Sequence, residues 1–166
     1  IGVNLAKEQL SINFNVKLTE QSIFLTDNLA FLGEIPRVND FENKTPIGKY
    51  LKNGKREDDY VFDDSAIVFR GEKGLVVITG CSHAGICNIV AEARKVFKIN
   101  KIFDIIGGFH LLNPKEDLMN KTLEYLGNQK IEKIHPCHCT DLGSKIKLSK
   151  ILDIGEVGVG MVFEYK

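Results

Sequence analysis

Three short apolar runs each end in a turn that carries histidine, and two of these turns also carry cysteine. The turns are TGCSHAG at 79–85, IGGFH at 106–110 and PCHCTD at 136–141. Histidine imidazole and cysteine thiolate are preferred ligands of zinc and similar metals. Because parallel α/β sheets bind ligands beyond the carboxyl ends of their strands, successive turns of this kind can converge on one crevice. The sequence therefore predicts a metal site formed by these turns.

The first turn carries Cys81, Ser82 and His83 between two glycines, which let a backbone bend sharply or approach a ligand closely. One interpretation is that Ser82 caps the following helix and that His83 is a solvated residue of its first turn. We favour a functional turn, because a Cys-Ser-His triplet exceeds what capping requires.

The third turn places His138 between Cys137 and Cys139. Side chains of adjacent residues diverge, so one of the three is the expected ligand. We favour His138, with both cysteines as packed thiols or as groups that support the ligand. A closed structural zinc site is least favoured, since such sites usually space their ligands two to four residues apart in two pairs. His135 is predicted at a strand end or on the surface.

The second turn carries His110 after two glycines and before two leucines. A packed, hydrogen-bonded core histidine and a functional histidine are equally consistent with this setting. The four cysteines all lie near the histidine turns, which favours ligands or buried thiols over a disulfide framework.

The composition predicts a single globular domain over residues 1–166. The chain has 43% hydrophobic and 27% charged residues, enough for one good core. Basic and acidic residues are balanced at 22 each, so no global charge recruits nucleic acid or an anionic membrane. No apolar stretch approaches the roughly 20 residues of a membrane span, and no secretory pattern begins the chain. We expect a cytoplasmic protein. The first residue is Ile rather than Met, which indicates a processed, recombinant or partial chain.

Two segments of different character precede the histidine turns. Residues 1–35 alternate apolar and polar residues from Ser11 to Leu18 and hold further short apolar runs, which predicts a β meander with one wet face. Residues 36–60 hold prolines, glycines and many charges without a sustained period, which predicts a lid or a disordered loop. The cations of that loop are candidates for closing over an anionic substrate, but they alternate with acids, so a solvated loop is the default.

From residue 61 to residue 166, the pattern alternates strands and helices as in α/β proteins. Strands are predicted at 61–69, 75–79, 102–106, 131–134 and 157–163, and helices at 86–97, 114–126 and 144–152. The run at 75–79 is apolar on both faces, as in a buried central strand. The first helix has an apolar stripe, with Asn88, Glu92 and Lys95 on the other face. Asn113 and Pro114 are predicted to begin the second helix, with Glu116 completing a capping box.

Several motifs in order give the chain a family resemblance. They are GEIPR (33–37), DDSAIVF (63–69), GLVVITGCSHAGI (74–86), IIGGFHLL (105–112) and PCHCT (136–140). The chain resembles the metal-dependent hydrolases of the metallo-β-lactamase superfamily. More narrowly, it resembles the group related to ribofuranosylaminobenzene phosphate synthase. The resemblance implies an αββα sandwich with one or two divalent metals at the shared edge of its sheets, zinc first, with manganese or iron as alternatives.

The resemblance also implies roles for single residues. The TGCSH segment stands where superfamily members commonly end a strand in TGD with a metal-binding aspartate, so Cys81, Ser82 or His83 replaces that acid, and we favour His83 as the metal ligand. PCHCT is similar to the last ligand motif and implies that His138 is the other ligand. His110 and Cys81 are the candidate catalytic residues.

The chain departs from the family in one respect, because the signature H-x-H-x-D-H is absent from it. We therefore expect the C-terminal portion of a longer enzyme or a natural truncation. We expect it to associate with a half that carries H-x-H-x-D-H, or with itself, since half a sandwich leaves apolar surface uncovered.

Two functional hypotheses follow. The first is a portion of a hydrolase that activates water against a phosphoester or related ester or amide bond, with a small anionic compound as the candidate substrate, and that is inactive without the missing half. The second is a degenerate, non-catalytic interaction module of the same fold.

Overall fold

The computed structural model of the chain describes residues 6–166 and has a mixed α/β architecture. The helices are α1 (Lys7–Ser11), α2 (Ile86–Phe97), α3 (Glu116–Gly127) and α4 (Leu142–Leu148). The strands are β1 (Ile23–Thr26), β2 (Leu29–Phe31), β3 (Gly48–Lys52), β4 (Lys55–Asp59), β5 (Ala66–Gly71), β6 (Gly74–Thr79), β7 (Ile102–Gly108), β8 (Ile131–Cys137) and β9 (Asp153–Ile154). Seven strands form one sheet in the order β1-β2-β5-β6-β7-β8-β9, while β3 and β4 pair with each other. The predicted α/β fold class is confirmed.

Strand direction divides the large sheet into two parts. The pairs from β1 to β6 are antiparallel, whereas β6, β7, β8 and β9 run parallel. The parallel part needs helical crossovers, which α2, α3 and α4 provide. The carboxyl ends of β6, β7 and β8 therefore meet at one edge of the sheet, and the three histidine turns follow these ends.

One face of the sheet is closed by the helices and holds the core. Val68, Val77, Ile105 and Ile134 lie on this face and are completely buried against the helices. The predicted apolar stripe of α2 is buried as expected. Asn88, predicted on the solvent side, is also buried, because its side-chain oxygen accepts hydrogen bonds from the backbone of the docked 38–39 segment.

The other face of the sheet carries no helix among the described residues. On this face of the central strand, Val76 is 1% exposed but Ile78 is 43% exposed, and Ile67 of β5 is 38% exposed. The prediction that the central strand is buried on both faces therefore holds at Val76 and is wrong at Ile78. Within residues 6–166, the end of the chain crosses this face: the ring of Phe163 packs on His135 and the hydroxyl of Tyr165 donates to Asp104. We call this surface the open face.

The ends of the chain differ from the predicted pattern. The alternation from Ser11 to Leu18 forms no strand, and the short helix α1 ends at its first residue, whereas β1 and β2 confirm the later part of the meander. Residues 1–5 of the predicted meander lie outside the described residues. The predicted last strand at 157–163 has no strand partner, and the segment at 61–62 turns instead, with φ of 52° at Val61.

The segment at 36–60 forms a docked stretch and a hairpin and is not a disordered loop, whereas its role as a lid stays a prediction. Its second half is the β3–β4 hairpin, which turns at Asn53 and Gly54 with φ of 51° and 76°. Asn-Gly is a strong hairpin signal because both positions tolerate positive φ, and the composition of the loop obscured it. Lys49 pairs with Asp58 across the hairpin. The solvated interpretation of the loop charges therefore fits this pair.

The first half of the same segment caps helix α2. The Glu42 carboxylate accepts the backbone N–H groups of Cys87 at 3.0 Å and Asn88 at 2.9 Å. Gly85 precedes the helix, and a Cβ there would overlap the Glu42 carboxyl group. Burial is the main cause that raises the pKa of Glu42, and the backbone hydrogen bonds act against it. Ser82 therefore does not cap α2, and that interpretation is wrong.

The two later helices begin elsewhere than predicted. Helix α3 starts at Glu116 without a side-chain cap, and Asn113 adopts a φ of 48°, so the predicted capping box is wrong. The Asn113 N–H is instead donated to Asp141. Asp141 caps α4 by accepting the Ser144 N–H at 2.6 Å, which places α4 two residues earlier than the predicted start at 144.

Candidate metal centre

Hydrogen bonds hold the three histidine turns side by side. The Gly108 N–H is donated to the Gly80 carbonyl at 2.8 Å, and the Ser82 hydroxyl is donated to the Gly108 carbonyl at 2.6 Å. The Phe109 N–H is donated to the Thr140 hydroxyl at 3.0 Å. These bonds connect the first turn to the second and the second turn to the third. The predicted convergence at the sheet edge is therefore present.

The two glycines that end β7 make this close approach feasible. A Cβ at Gly107 would overlap the backbone oxygen of Thr79, and Gly107 has a φ of 135°. A Cβ at Gly108 would lie 2.6 Å from the sulfur of Cys139 and 2.7 Å from the Gly80 oxygen. Any larger residue would force the turns apart. The Gly-Gly pair therefore lets the second turn pack directly on the first turn and on the Cys139 thiol.

Cys81, His138 and Cys139 form a thiol–imidazole cluster where these turns meet. One ligand atom from each of the three residues lies within 4.8 Å of the others. Cys81 and Cys139 are partly buried, whereas His138 is exposed. Adjacent side chains were expected to diverge, but His138 has a φ of 50°, which departs from extended strand geometry. The backbone reversal lets both His138 and Cys139 join the cluster.

Cys139 also connects the cluster to the second turn. Its sulfur accepts the His110 N–H at 3.3 Å and donates to the Cys81 carbonyl at 3.4 Å. Burial is the main cause that raises the pKa of the Cys139 thiol, and the His110 hydrogen bond opposes this rise. Since metals bind the thiolate, ion binding at this position would displace a proton.

His83 and His110 form a second group beside the cluster. Their ring centroids lie 4.7 Å apart at an interplanar angle of 65°. Partial burial of the ring lowers the pKa of His110, the nearby His83 lowers it further, and Asp64 acts in the opposite direction. The Asp64 carboxylate accepts the Ala84 N–H at 2.9 Å and so fixes the turn that carries His83. Nδ1 of His83 is buried and has no hydrogen-bond partner within residues 6–166.

The structure thus places each residue singled out by the sequence. Cys81 and His138 join one cluster, and the His83 ring contacts the His110 ring in a T-shaped arrangement. Their assignments as ligands and catalytic groups stay predictions. His135 was predicted at a strand end or on the surface, and this is wrong: it is 6% exposed, within β8, and its Nδ1 lies 2.8 Å from Asp104.

Sequence reasoning missed two residues of the site. Cys139 was interpreted as a packed or supporting thiol, although its sulfur lies as close to the cluster as the other ligand atoms. The left-handed backbone conformation of the preceding residue, His138, cannot be predicted from the sequence. Asp64 belongs to the DDSAIVF motif, but nothing in the spacing connects it with the turn 20 residues later that it contacts.

The residues present fit a divalent metal. Two thiols and an imidazole form a soft to borderline donor set, which suits zinc better than magnesium or calcium. The unpartnered, buried Nδ1 of His83 shows that polar capacity near the cluster is not used within the described chain. The fold and the cluster together define an α/β protein with a candidate Cys/His metal site at the carboxyl edge of its sheet.

Comparison with known proteins places this architecture in a family. A crystal structure of a metal-dependent hydrolase of the β-lactamase superfamily superposes with a TM-score of 0.79 at 30% identity, over 90% of this chain and 58% of that one. The chain is 38% identical over 127 residues to 7,8-dihydropterin-6-methyl-4-(β-D-ribofuranosyl)-aminobenzene-5′-phosphate synthase of Methanocaldococcus jannaschii. The aligned residues make up 74% of this chain and 43% of the synthase. An uncharacterized protein of the same organism is 31% identical over 154 residues, 92% of this chain and 56% of that protein. No family model matches the chain.

In fold and in sequence the chain is similar to metal-dependent hydrolases of the β-lactamase superfamily, as its motifs predicted. It spans about half the length of the curated relatives that it matches. Within the described residues, none of the helices is both long enough and apolar enough to cross a membrane.

Proposed function

We propose that this chain supplies one half of the metal site of a hydrolase that activates water against a phosphoester or a related ester or amide bond. The observation that carries the proposal is the convergence of Cys81, His138 and Cys139 beside the His83–His110 pair. A divalent ion held there would lower the pKa of bound water and polarise the bond under attack. We assign the three cluster residues to the ion, with His83 as a further ligand, and favour zinc.

His110 is proposed to handle protons in this reaction. Its lowered pKa keeps the imidazole neutral at neutral pH, so that one ring nitrogen is free to accept a proton. Its backbone N–H donates to the Cys139 sulfur, which fixes the His110 backbone beside the cluster. His83 lies against one side of this ring. The solvent exposure of His110 leaves the other side accessible to a substrate.

A small substrate with a phosphate group is the proposed class. The relative at 38% identity is named for making a ribofuranosyl phosphate ester, which supports a site that accepts a sugar phosphate. Because that relative is named a synthase and not a hydrolase, the reaction on the phosphorylated compound needs an experimental test. The loop cations are not assigned to the substrate. Arg37 donates to the Ile35 and Val61 carbonyls and lies over the Phe62 ring.

The open face is the proposed place of the missing half. Ile67 and Ile78 expose about two fifths of their surface there, a pattern that marks an interaction surface. The matched relatives extend well beyond the part that this chain covers. We propose that the half carrying H-x-H-x-D-H covers this face and adds the remaining ligands. The chain alone is then inactive.

Metal content measured by mass spectrometry on the purified chain tests the site first. We expect about one divalent ion per chain. We expect it to be lost in His138→Ala and in Cys139→Ala but retained in Cys137→Ala, a matched control in the same turn. Retention of the ion in both cluster variants would place the metal elsewhere and reject this assignment.

Reconstitution tests the reaction. The chain is co-expressed with the part of the structurally similar hydrolase that it does not cover, and hydrolysis of p-nitrophenyl phosphate, its diester and an acetate ester is measured with zinc, manganese and iron. We expect activity only in the complex, with loss in His138→Ala. A stable complex that binds metal and hydrolyses none of these esters would favour the non-catalytic hypothesis.

A further inference from the structure

We propose that Cys81 and Cys139 form a reversible disulfide that switches off the metal site. The inference deepens the proposed function, because it concerns the regulation of the same cluster. It rests on the proximity of the two thiols and on their difference from the other two cysteines.

The two sulfur atoms come from turns that follow different strands, yet they lie within 4.8 Å of each other. The Cys139 sulfur already donates to the carbonyl of Cys81, so its side chain is directed at that residue. No Cβ separates them, because Gly108 provides the neighbouring backbone and a Cβ there would lie 2.6 Å from the Cys139 sulfur. The proposed bond requires the side chains to rotate until the sulfurs approach from this separation to about 2.0 Å.

Access differs among the four thiols. Cys81 and Cys139 are both partly exposed, so a small oxidant can reach them. Cys87 is completely buried in helix α2 beneath the capping Glu42, and we expect it to be inert. Cys137 is partly exposed but belongs to β8, and its ligand atom is not part of the cluster. The chain thus offers one close, accessible pair.

Disulfide formation requires an oxidant, for which we name a peroxide. The thiolate of one cysteine attacks the peroxide, gives a sulfenic acid and releases water. The second thiol attacks that sulfur, which forms the S–S bond and releases a second water. The two cysteines together lose two electrons and two protons, and one hydrogen peroxide is reduced to two waters. A dithiol reductant reverses the reaction by thiol–disulfide exchange.

The disulfide removes two of the three donors in the cluster. Only His138 of the cluster then remains, with His83 as the further ligand, and two imidazoles without a thiolate hold a divalent ion less tightly than the complete set does. Conversely, a bound ion occupies both thiolates and protects them from the peroxide. Oxidation and metal binding therefore exclude each other, so that the oxidised enzyme would be inactive until it is reduced.

The test uses the whole chain, first freed of metal with a chelator. The chain is treated with stoichiometric hydrogen peroxide, digested with trypsin and analysed by mass spectrometry. We expect the intact mass to fall by two hydrogen atoms and a cross-linked pair of peptides, 74–94 with 134–145, whose fragmentation assigns Cys81 and Cys139. Cys137→Ser, which keeps the pair, should give the same cross-link, and Cys139→Ser should give none.

A second arm separates this inference from the metal proposal. Oxidised and reduced chains are titrated with cobalt(II), whose thiolate absorption band reports binding. We expect binding by the reduced chain only, restored to the oxidised chain by dithiothreitol. His138→Ala, with both thiols intact, should still form the cross-link.

A cross-link that forms in a chain unable to bind cobalt when reduced supports the disulfide and rejects the metal assignment. Over-oxidation of one thiol without a cross-link, or a cross-link through Cys137, overturns the inference. Unchanged cobalt binding by the cross-linked chain overturns the switch.

Discussion

Two histidine environments in this chain contrast sharply. His135 is buried in strand β8, where its Nδ1 contacts Asp104 at 2.8 Å and its ring packs on Phe163. Gly155 leaves space for the ring, since a Cβ there would overlap it. His138, only three residues later, is exposed in a turn with left-handed backbone, and its imidazole belongs to the thiol–imidazole cluster.

The contrast shows how this fold separates stability from chemistry. The Asp104 carboxylate accepts from Tyr165 and lies 3.5 Å from the Lys133 ammonium, so the buried charge is fully partnered. The cluster holds two free thiols and a residue in strained conformation instead. Groups left under-satisfied at a sheet edge are typical of functional sites, whereas partnered buried groups are typical of structural ones.

The largest expected effect comes from breaking the structural region. Asp104→Ala leaves His135, Lys133 and Tyr165 without their shared acceptor, so we expect the free energy of unfolding to fall by about 3–5 kcal/mol. Urea denaturation measures this loss. Asp104→Asn, which keeps an acceptor for Tyr165, should lose less. Metal content of any folded variant should stay unchanged, and a loss of metal at preserved stability would contradict the separation of the two regions.

The cap of α2 tests a second buried carboxylate. Glu42→Ala removes the acceptor of two backbone N–H groups, and we expect a loss of about 2 kcal/mol. The pH dependence is a sharper measurement. Because burial raises the pKa of Glu42 in the folded state, the folded chain binds this proton more tightly than the unfolded chain does.

The Glu42 contribution is most favourable below the ordinary glutamate pKa and declines as pH rises through the raised value of the folded state. Glu42→Gln should remove that slope. Urea denaturation across this interval should therefore show the free energy of unfolding of the wild type falling relative to that of the variant as pH rises. A constant difference between them would show that the Glu42 pKa is not raised.

The sequence predicted the parallel part of the fold well because local patterns determine it. The strand at 75–79 and the helix at 86–97 have clear periods, and both were found with nearly correct bounds. The convergence of Cys81 and His138 was also predictable, since turns after parallel strands share one sheet edge. The cap by Glu42 was not, because it joins residues 45 positions apart without a local signal.

The failures have related physical causes. The role of Cys139 depends on the left-handed φ of His138, and no residue in PCHCT is of a type that predicts this conformation. Asp104 and His135 belong to strands that look apolar or irregular in sequence, and their 2.8 Å contact arises only from the β7–β8 register, which pairs Ile106 with His135. Long-range pairing of this kind needs the topology before it can be recognised.

A smaller effect is expected at the end of the chain. Tyr165→Phe removes one hydrogen bond of 2.6 Å to a buried carboxylate while the ring keeps its packing against Phe103. We expect a loss of about 1.5 kcal/mol in urea denaturation. Glu164→Gln, on the exposed neighbour, is the matched control and should change little. An equal loss in both variants would mean that the chain end contributes no specific contact to Asp104.

The smallest effect on stability is expected at His138, where the sign of the stability difference between two substitutions is informative. Its φ of 50° lies in the left-handed region, where residues with a Cβ are strained and glycine is not. His138→Gly should therefore be more stable to urea than His138→Ala by about 1 kcal/mol in the metal-free chain. Both variants should lose the metal. If glycine gives no advantage over alanine, the turn is not strained. If either variant retains the metal, the imidazole is not a ligand, and the strained backbone at this position then has no explanation in metal binding.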